Sequence, residues 1–256
     1  MRTQEKRATR FRSIQTSLIF VIVPVVIISM AVLSLMGYLS SKAIIQTSAG
    51  NEMSQCLSVA MGSIEMSLSN NRMVAETMAR GVEAVQRQAV KGEQTASDWD
   101  AAAYQEILTS FVGSNPETFG GGIWFEPYQY RPEQRYFSPY CMRQNGAVTY
   151  VDNYSLGEGV YYTDQDWYTN AANTTQKSVW SAPYYDEFAQ ISMVTSSAPI
   201  YDETGRLLGV ATADIDLTQM QQMVLSLDVV ANGRAFLIDD TGVYIADEDS
   251  EKLLSA

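Results

Sequence analysis

Aromatic and acidic side chains crowd three short stretches of this chain, and together they could hold an organic cation or a flat polar ring. The first runs Tyr161-Tyr162-Thr163-Asp164-Gln165-Asp166-Trp167-Tyr168, the second Trp180-Ser181-Ala182-Pro183-Tyr184-Tyr185-Asp186, and the third ends Thr212-Ala213-Asp214-Ile215-Asp216. Indole and phenol faces attract an ammonium through their quadrupole, and a carboxylate adds a charge-assisted hydrogen bond. The same faces stack on a neutral heterocycle. Asp214 lies between apolar neighbours on a predicted inner strand, where a lone carboxylate requires a partner. The candidate ligand-binding residues are Tyr162, Asp166, Trp167, Tyr168, Tyr184, Asp186 and Asp214. The ligand expected is a small polar organic molecule, amine-like or amino-acid-like, and no cofactor is implied. Trp124, Phe125, Trp180 and Val210 read as core, and Asp164 reads equally well as the cap of a helix beginning near Trp167.

Other chemistries fit less well. Histidine is absent, which removes Ser-His-Asp and Cys-His catalysis and every histidine metal site. Asp164-x-Asp166, Asp214-x-Asp216 and Asp247-Glu248-Asp249 supply oxygens, but none continues into the glycine and terminal glutamate of a calcium loop. Gly120-Gly121-Gly122 lacks the Gly-Lys-Ser/Thr of a phosphate loop. A carboxylate pair serving as acid and base, as in glycosidases, is the enzyme alternative, and a well-filled pocket would favour a structural surface protein. Neither explains the anchor and stalk described below, and no catalysis is expected. Cys56 and Cys141 leave the question of a disulfide open.

The elements that would position these residues begin with a long helical pattern. From Ser40 to about Val90 there is no proline, and Met53, Leu57, Met61, Ile64 and Leu68, then Val74, Met78, Val82 and Val85, recur at helical spacing. The phase slips across Ser69-Asn70-Asn71-Arg72, which predicts a bend or a change of packing partner. Ser97-Asp98 opens a second helix, Trp99 to Val112, with Tyr104, Ile107, Leu108 and Phe111 on its apolar side. Strands are predicted at Gly122 to Phe125, Arg135 to Met142, Val148 to Tyr154, Ile191 to Ile200 and Leu207 to Ile215. The last two are joined by Asp202-Glu203-Thr204-Gly205, a turn repeated as Asp239-Asp240-Thr241-Gly242 with a helix predicted between, from Leu217 to Leu227.

Charge and hydropathy place the whole at a membrane. The first twelve residues carry five basic side chains against Glu5, net +4, and no charged residue follows until Lys42. Ser17 to Leu39 is long enough to cross about 30 Å of hydrocarbon as a helix, and the basic cluster orients the N-terminus to the cytoplasm. Cleaved signal sequences have shorter apolar cores, about 7–15 residues, so an uncleaved anchor is expected. With the total at −12, the remainder after Arg12 stands at −16. That balance disfavours nucleic acid and anionic lipid as partners and suits a cationic or neutral ligand.

The aromatic and acidic stretches, together with Phe119 to Tyr128, Gly209 to Leu217 and Gly233 to Gly242, resemble in order and spacing the extracytoplasmic double Cache (dCache) domain of bacterial transmembrane receptors, most like methyl-accepting chemotaxis proteins. The resemblance implies an α+β chain: an N-terminal transmembrane helix, a long stalk helix and tandem PAS-like antiparallel-sheet modules, the second incomplete. The boundaries expected are a basic tail at 1–15, a membrane helix at 16–39, a stalk at 40–92, a membrane-distal module at 93–217, and a linker helix with the start of a truncated membrane-proximal module at 218–256. The implied function is small-molecule sensing, relayed from outside the inner membrane to a cytoplasmic output domain missing from this chain, with a homodimer expected. That output is expected to be chemotactic, the alternatives being a histidine kinase or a diguanylate cyclase. In amino-acid-sensing members an arginine two residues before the Trp-Tyr pair holds the ligand carboxylate, and a later aspartate holds its ammonium. Trp167-Tyr168, Tyr184 and Asp214 match this pattern, but the arginine position is Gln165.

Overall fold

The computed structural model describes residues 14–90, 101–151, 154, 159–227 and 233–255. Residues 1–13 of the basic tail, the start of the second helix at Ser97-Asp98, and Asp152 and Asn153 of the predicted third strand lie outside the described residues. The chain falls into two compact units, Met1–Gln55 and Cys56–Ala256.

Helix α1 (Ile14–Val90) contributes to both units. In the first unit its apolar side chains from Leu18 to Leu39 are about half exposed or more, and this is the helix long and apolar enough to cross a membrane. Pro24 lies inside it without interrupting the helix, since membrane helices tolerate a proline.

In the second unit α1 is helical straight through residues 69–72, and what changes there is the packing partner. Ile64 and Leu68 pack beside Val194, Leu217 and Met220, whereas Val74, Ala75, Met78, Ala79 and Val82 enter the main core. Helix α2 (Ala101–Ser114) adds Tyr104, Leu108 and Val112 to that core, and the Arg143 guanidinium donates to the carbonyls of Val112, Asn115 and Thr118 around its C-terminal end. A cation there suits the negative end of the helix dipole.

The sheet is antiparallel throughout. Its strands are β1 (Gly120–Phe125), β2 (Tyr140–Gln144), β3 (Ala147–Val151), β4 (Val179–Trp180), β5 (Tyr184–Asp186), β6 (Ile191–Tyr201) and β7 (Leu207–Asp216), ordered β3-β2-β1-β7-β6-β4 with β5 also on β6. The predicted strand Arg135 to Met142 is corrected: pairing starts at Tyr140, and the aromatic rings of Tyr130 and Phe137 stack instead under α2. Alternation along the strands separates two faces. Ile123, Phe125, Ala198, Ile200, Ala211 and Ala213 face α1 and α2. Trp124, Tyr140, Met142 and Val210 face helix α3 (Asp166–Ala172), which contributes Trp167, Tyr168 and Ala171.

Helix α4 (Leu217–Leu225) follows β7 directly, capped by the Asp216 side chain accepting from Thr218 N, and buries Leu217, Met220 and Val224. A short hairpin, β8 (Leu237–Ile238) and β9 (Tyr244–Ala246), comes next. The two Asp-x-Thr-Gly turns are built alike. In each, one carboxylate oxygen of Asp202 or Asp239 accepts from the threonine amide and hydroxyl two residues on and from the amide four residues on. Gly205 and Gly242 take the positive φ (82° and 91°) that closes the turn.

Candidate functional site

The site lies on the α3 face of the sheet, and register explains which side chains reach it. Asp214 pairs with Thr195 and Gly120, and Thr212 pairs with Ser197 and Gly122, so all six positions share one face. Gly120 and Gly122 form a floor of bare backbone. A Cβ on Gly120 would stand 2.1 Å from the Tyr140 hydroxyl, and one on Gly122 2.9 Å from the Trp124 indole. The triple glycine thus lets two rings lie flat over β1, while Gly121 faces the other way onto Met78 and Val112.

The result is a narrow, nearly filled hollow with a free volume of about 10 Å³, room for about one water, lined by Trp124, Tyr140, Tyr154, Trp167, Tyr184, Asp186, Met193, Thr195, Thr212 and Asp214. Its polar groups are tied to one another. Tyr140 donates to Asp214 Oδ2 at 2.7 Å, and Thr195 donates to Asp214 Oδ1 at 2.8 Å. The Tyr184 hydroxyl reaches Thr195 at 2.8 Å. Tyr154 donates to Asp186 at 2.6 Å, the amide of Ala189 donates to the same carboxylate at 2.6 Å, and Trp124 Nε1 donates to Thr212 at 2.8 Å.

Two carboxylates are therefore buried together, Asp214 at 3% and Asp186 at 5% exposure. Among the described residues, no lysine or arginine forms an ion pair with either. Burial, with a contribution from the neighbouring Asp186 charge, pushes the Asp214 carboxyl up to about 7 against the opposing hydrogen bonds of Tyr140 and Thr195. Burial likewise raises Tyr140, Tyr154 and Tyr184, with Asp214 adding to the first and third and the bond to Asp186 to the second. All three remain neutral hydroxyl donors near neutral pH.

Of the seven residues expected from sequence, Trp167, Tyr184, Asp186 and Asp214 line this hollow. Tyr162, Asp166 and Tyr168 do not. Tyr162 donates to the carbonyl of Phe125, Tyr168 donates to Glu126 at 2.8 Å, and Asp166 is exposed in the first turn of α3. A helix turns about 100° per residue, so seating Trp167 on the sheet directs its neighbours elsewhere. Asp164 is exposed and caps nothing, since Gln165 is the residue preceding α3. Gln165 donates to the carbonyl of Tyr161 and is not among the lining residues.

Sequence reading missed Tyr140, Tyr154, Met193, Thr195 and Thr212 as lining residues, and took Trp124 for core alone. Trp124 does pack in the second core, while its indole N–H also fixes Thr212. The alternation in Thr212-Ala213-Asp214, polar on one face and alanine on the other, carried a readable signal.

Residues 104–222 match the family described as the first PDC sensor domain of methyl-accepting-chemotaxis-protein-like receptors. McpC, a methyl-accepting chemotaxis protein of Bacillus subtilis, is 38% identical over 84 residues, covering 33% of this chain and 13% of that protein. McpA, a methyl-accepting chemotaxis protein of Pseudomonas putida, is 25% identical over 208 residues, 79% of this chain and 31% of that protein. The chain thus spans under a third of the length of these relatives. The fold is that of the ligand-binding domain of the Pseudomonas aeruginosa amino acid chemoreceptor PctC, solved with GABA: TM-score 0.53 at 19% identity, covering 80% of this chain and 78% of that one. Over residues 104–222 the chain is therefore similar to the first PDC sensor domain of methyl-accepting-chemotaxis-protein-like receptors.

Proposed function

We propose that the chain is the sensing part of a membrane-anchored bacterial receptor, and that its hollow binds the ammonium group of a small organic ligand, amine-like or amino-acid-like. The observation that carries this reading is the pair Asp186 and Asp214, buried in one aromatic hollow whose lining includes no basic side chain. An uncompensated buried carboxylate costs several kcal/mol unless a cation arrives or a proton is taken up. A ligand ammonium supplies the cation, and Trp124, Tyr140, Tyr154 and Trp167 supply faces for cation-π contact. The GABA-bound relative supports a ligand of this class. The hollow is read as a binding site rather than a catalytic one, since both of its carboxylates are held by hydroxyl or amide donors.

Anchoring in the inner membrane with the sensor outside is supported by the exposed apolar helix and by the receptor relatives. Those relatives also favour chemotaxis as the output. The proposed relay starts where α1 is bonded to the module: Glu83 accepts from the Tyr201 amide at 3.1 Å, and Glu76 from Ser178 at 2.7 Å. A ligand that prefers one closure of the hollow would shift residues 56–90 of α1 against the sheet by about 1–2 Å. Equal spin-label distances between this segment and the sheet in empty and ligand-saturated receptor would sink that relay. A homodimer is proposed along the exposed face of α1 carrying Val59, Met66 and Met73, with Gly62 and Ser69 between them, because exposed apolar residues seven apart form a seam.

The test is a thermal-shift screen of the full chain in lipid nanodiscs against amines, amino acids, purines and organic acids. Ammonium compounds should raise the melting temperature and organic acids should not. Stabilisation by carboxylates alone would contradict the reading.

A further inference from the structure

We propose that Asp214 is a proton-exchange site: in the empty receptor its carboxyl holds a proton, and an organic ammonium enters by displacing that proton to solvent, so affinity for the ligand rises with pH. This rests on the ammonium-binding reading above and adds a regulation to the same site. The exchange balances: the neutral carboxylic acid loses H⁺ to water, and its carboxylate then pairs with the incoming ammonium, so the charge of the hollow is the same before and after.

The geometry supports it from every side of Asp214. Tyr140 of β2, Tyr154 beyond β3, and Tyr184 of β5 face it as neutral hydroxyls. Asp186 of β5 is the charged group in the hollow facing it, and it repels. Trp124 of β1, Met193 and Thr195 of β6, Thr212 of β7 and Trp167 of α3 do not titrate. The two carboxylates are not equivalent. Asp186 accepts from the Tyr154 hydroxyl and the Ala189 amide, and a backbone N–H is a donor that cannot turn round to accept. Among the described residues the Asp214 carboxylate accepts from the Tyr140 and Thr195 hydroxyls, at 2.7 and 2.8 Å, and a hydroxyl can accept as well as donate. An added proton therefore fits on either oxygen of Asp214 without breaking a contact, whereas at Asp186 only Oδ2, the oxygen away from the Ala189 amide, has room for one. The direction in which burial moves the Asp214 carboxyl, up to about 7, puts the exchange within the neutral range.

The experiment is calorimetric titration of propylamine, ethanolamine and GABA into the full chain in nanodiscs between about pH 5.5 and about pH 8, where these ammonium groups stay charged. The expected result is affinity rising close to tenfold per pH unit at the acid end and levelling above about pH 7.5. The apparent heat should also differ between phosphate and Tris buffers by an amount matching about one proton released per ligand. In Asp186→Asn the levelling point should move to lower pH, because a repelling charge has gone. Binding with the same affinity across the range and no buffer-dependent heat would overturn the exchange while leaving the ammonium site standing. No binding at any pH would overturn both.

Discussion

Under the proposed reading, Gln165 bears on what else the ligand can carry besides its ammonium. It stands where the resembling amino-acid sensors have arginine, and its amide is spent on the carbonyl of Tyr161. A neutral amide offers no bidentate clamp to a carboxylate. Gln165→Arg should therefore raise the affinity for α-amino acids such as valine by about tenfold or more, read by calorimetry; an unchanged affinity would show that position 165 does not face the ligand. Asp214 makes a separate prediction about stability. Its folded-state carboxyl is raised from 3.8 to about 7, so between those values the folded state binds more protons than the unfolded chain. The empty receptor should accordingly lose stability from this group as pH rises from about 4 to about 7, by at most about 4 kcal/mol. Thermal melting of the empty chain near pH 5 and near pH 8 should show this loss, and Asp214→Asn should largely remove it. At this scale the sequence disclosed the acidic and aromatic identities well, because a carboxylate among apolar neighbours is conspicuous in a string of letters. It did not disclose which of the adjacent residues Asp166, Trp167 and Tyr168 turns inward, since that depends on the rotation of α3 against the sheet.

At the scale of elements, the glycine-rich start of β1 shapes the hollow without touching a ligand. Gly120 leaves the space in which Tyr140 crosses to Asp214, and Gly122 leaves the space for the Trp124 ring. Gly120→Ala should force Tyr140 off Asp214 and cost about 1–3 kcal/mol in urea unfolding, as overpacking does. Wild-type stability would mean that β1 can slide to absorb the methyl. Phase and turn signals made α1, α2, β6, β7, α4 and the two Asp-x-Thr-Gly turns legible, since each is local: spacing of apolar residues, or an aspartate with a glycine three residues on. The stretch from Arg135 to Pro139 misled because its aromatic residues suit a strand, yet Phe137 is recruited to the α2 side by stacking on Tyr130. The strand order β3-β2-β1-β7-β6-β4 was not legible, because pairing between β1 and β7 joins residues some ninety positions apart.

At the scale of the molecule, the division of charge and hydropathy follows one logic. A basic N-terminus precedes an apolar helix, and an acidic body carries a hollow in which, among the described residues, no lysine or arginine pairs with the carboxylates. The seam proposed for the dimer gives a direct expectation. Met66→Cys, placed on the 63%-exposed position of α1, should form an intermolecular disulfide under mild oxidation in membranes, read as a doubled mass on a non-reducing gel. Cross-linking only at a position on the buried face, such as Ala75, would contradict that seam. The central claim is that Asp186 and Asp214 receive an ammonium, and a matched set of probes tests it most directly. Propylamine, 1-butanol and butyrate share a propyl chain and differ in the charge of the head group. Calorimetry on the full chain at about pH 7.5 should show binding of propylamine, none of the alcohol or the acid, and a loss of about a hundredfold or more in Asp214→Asn. Butyrate binding as well as propylamine, or undiminished propylamine binding in the variant, would contradict the account.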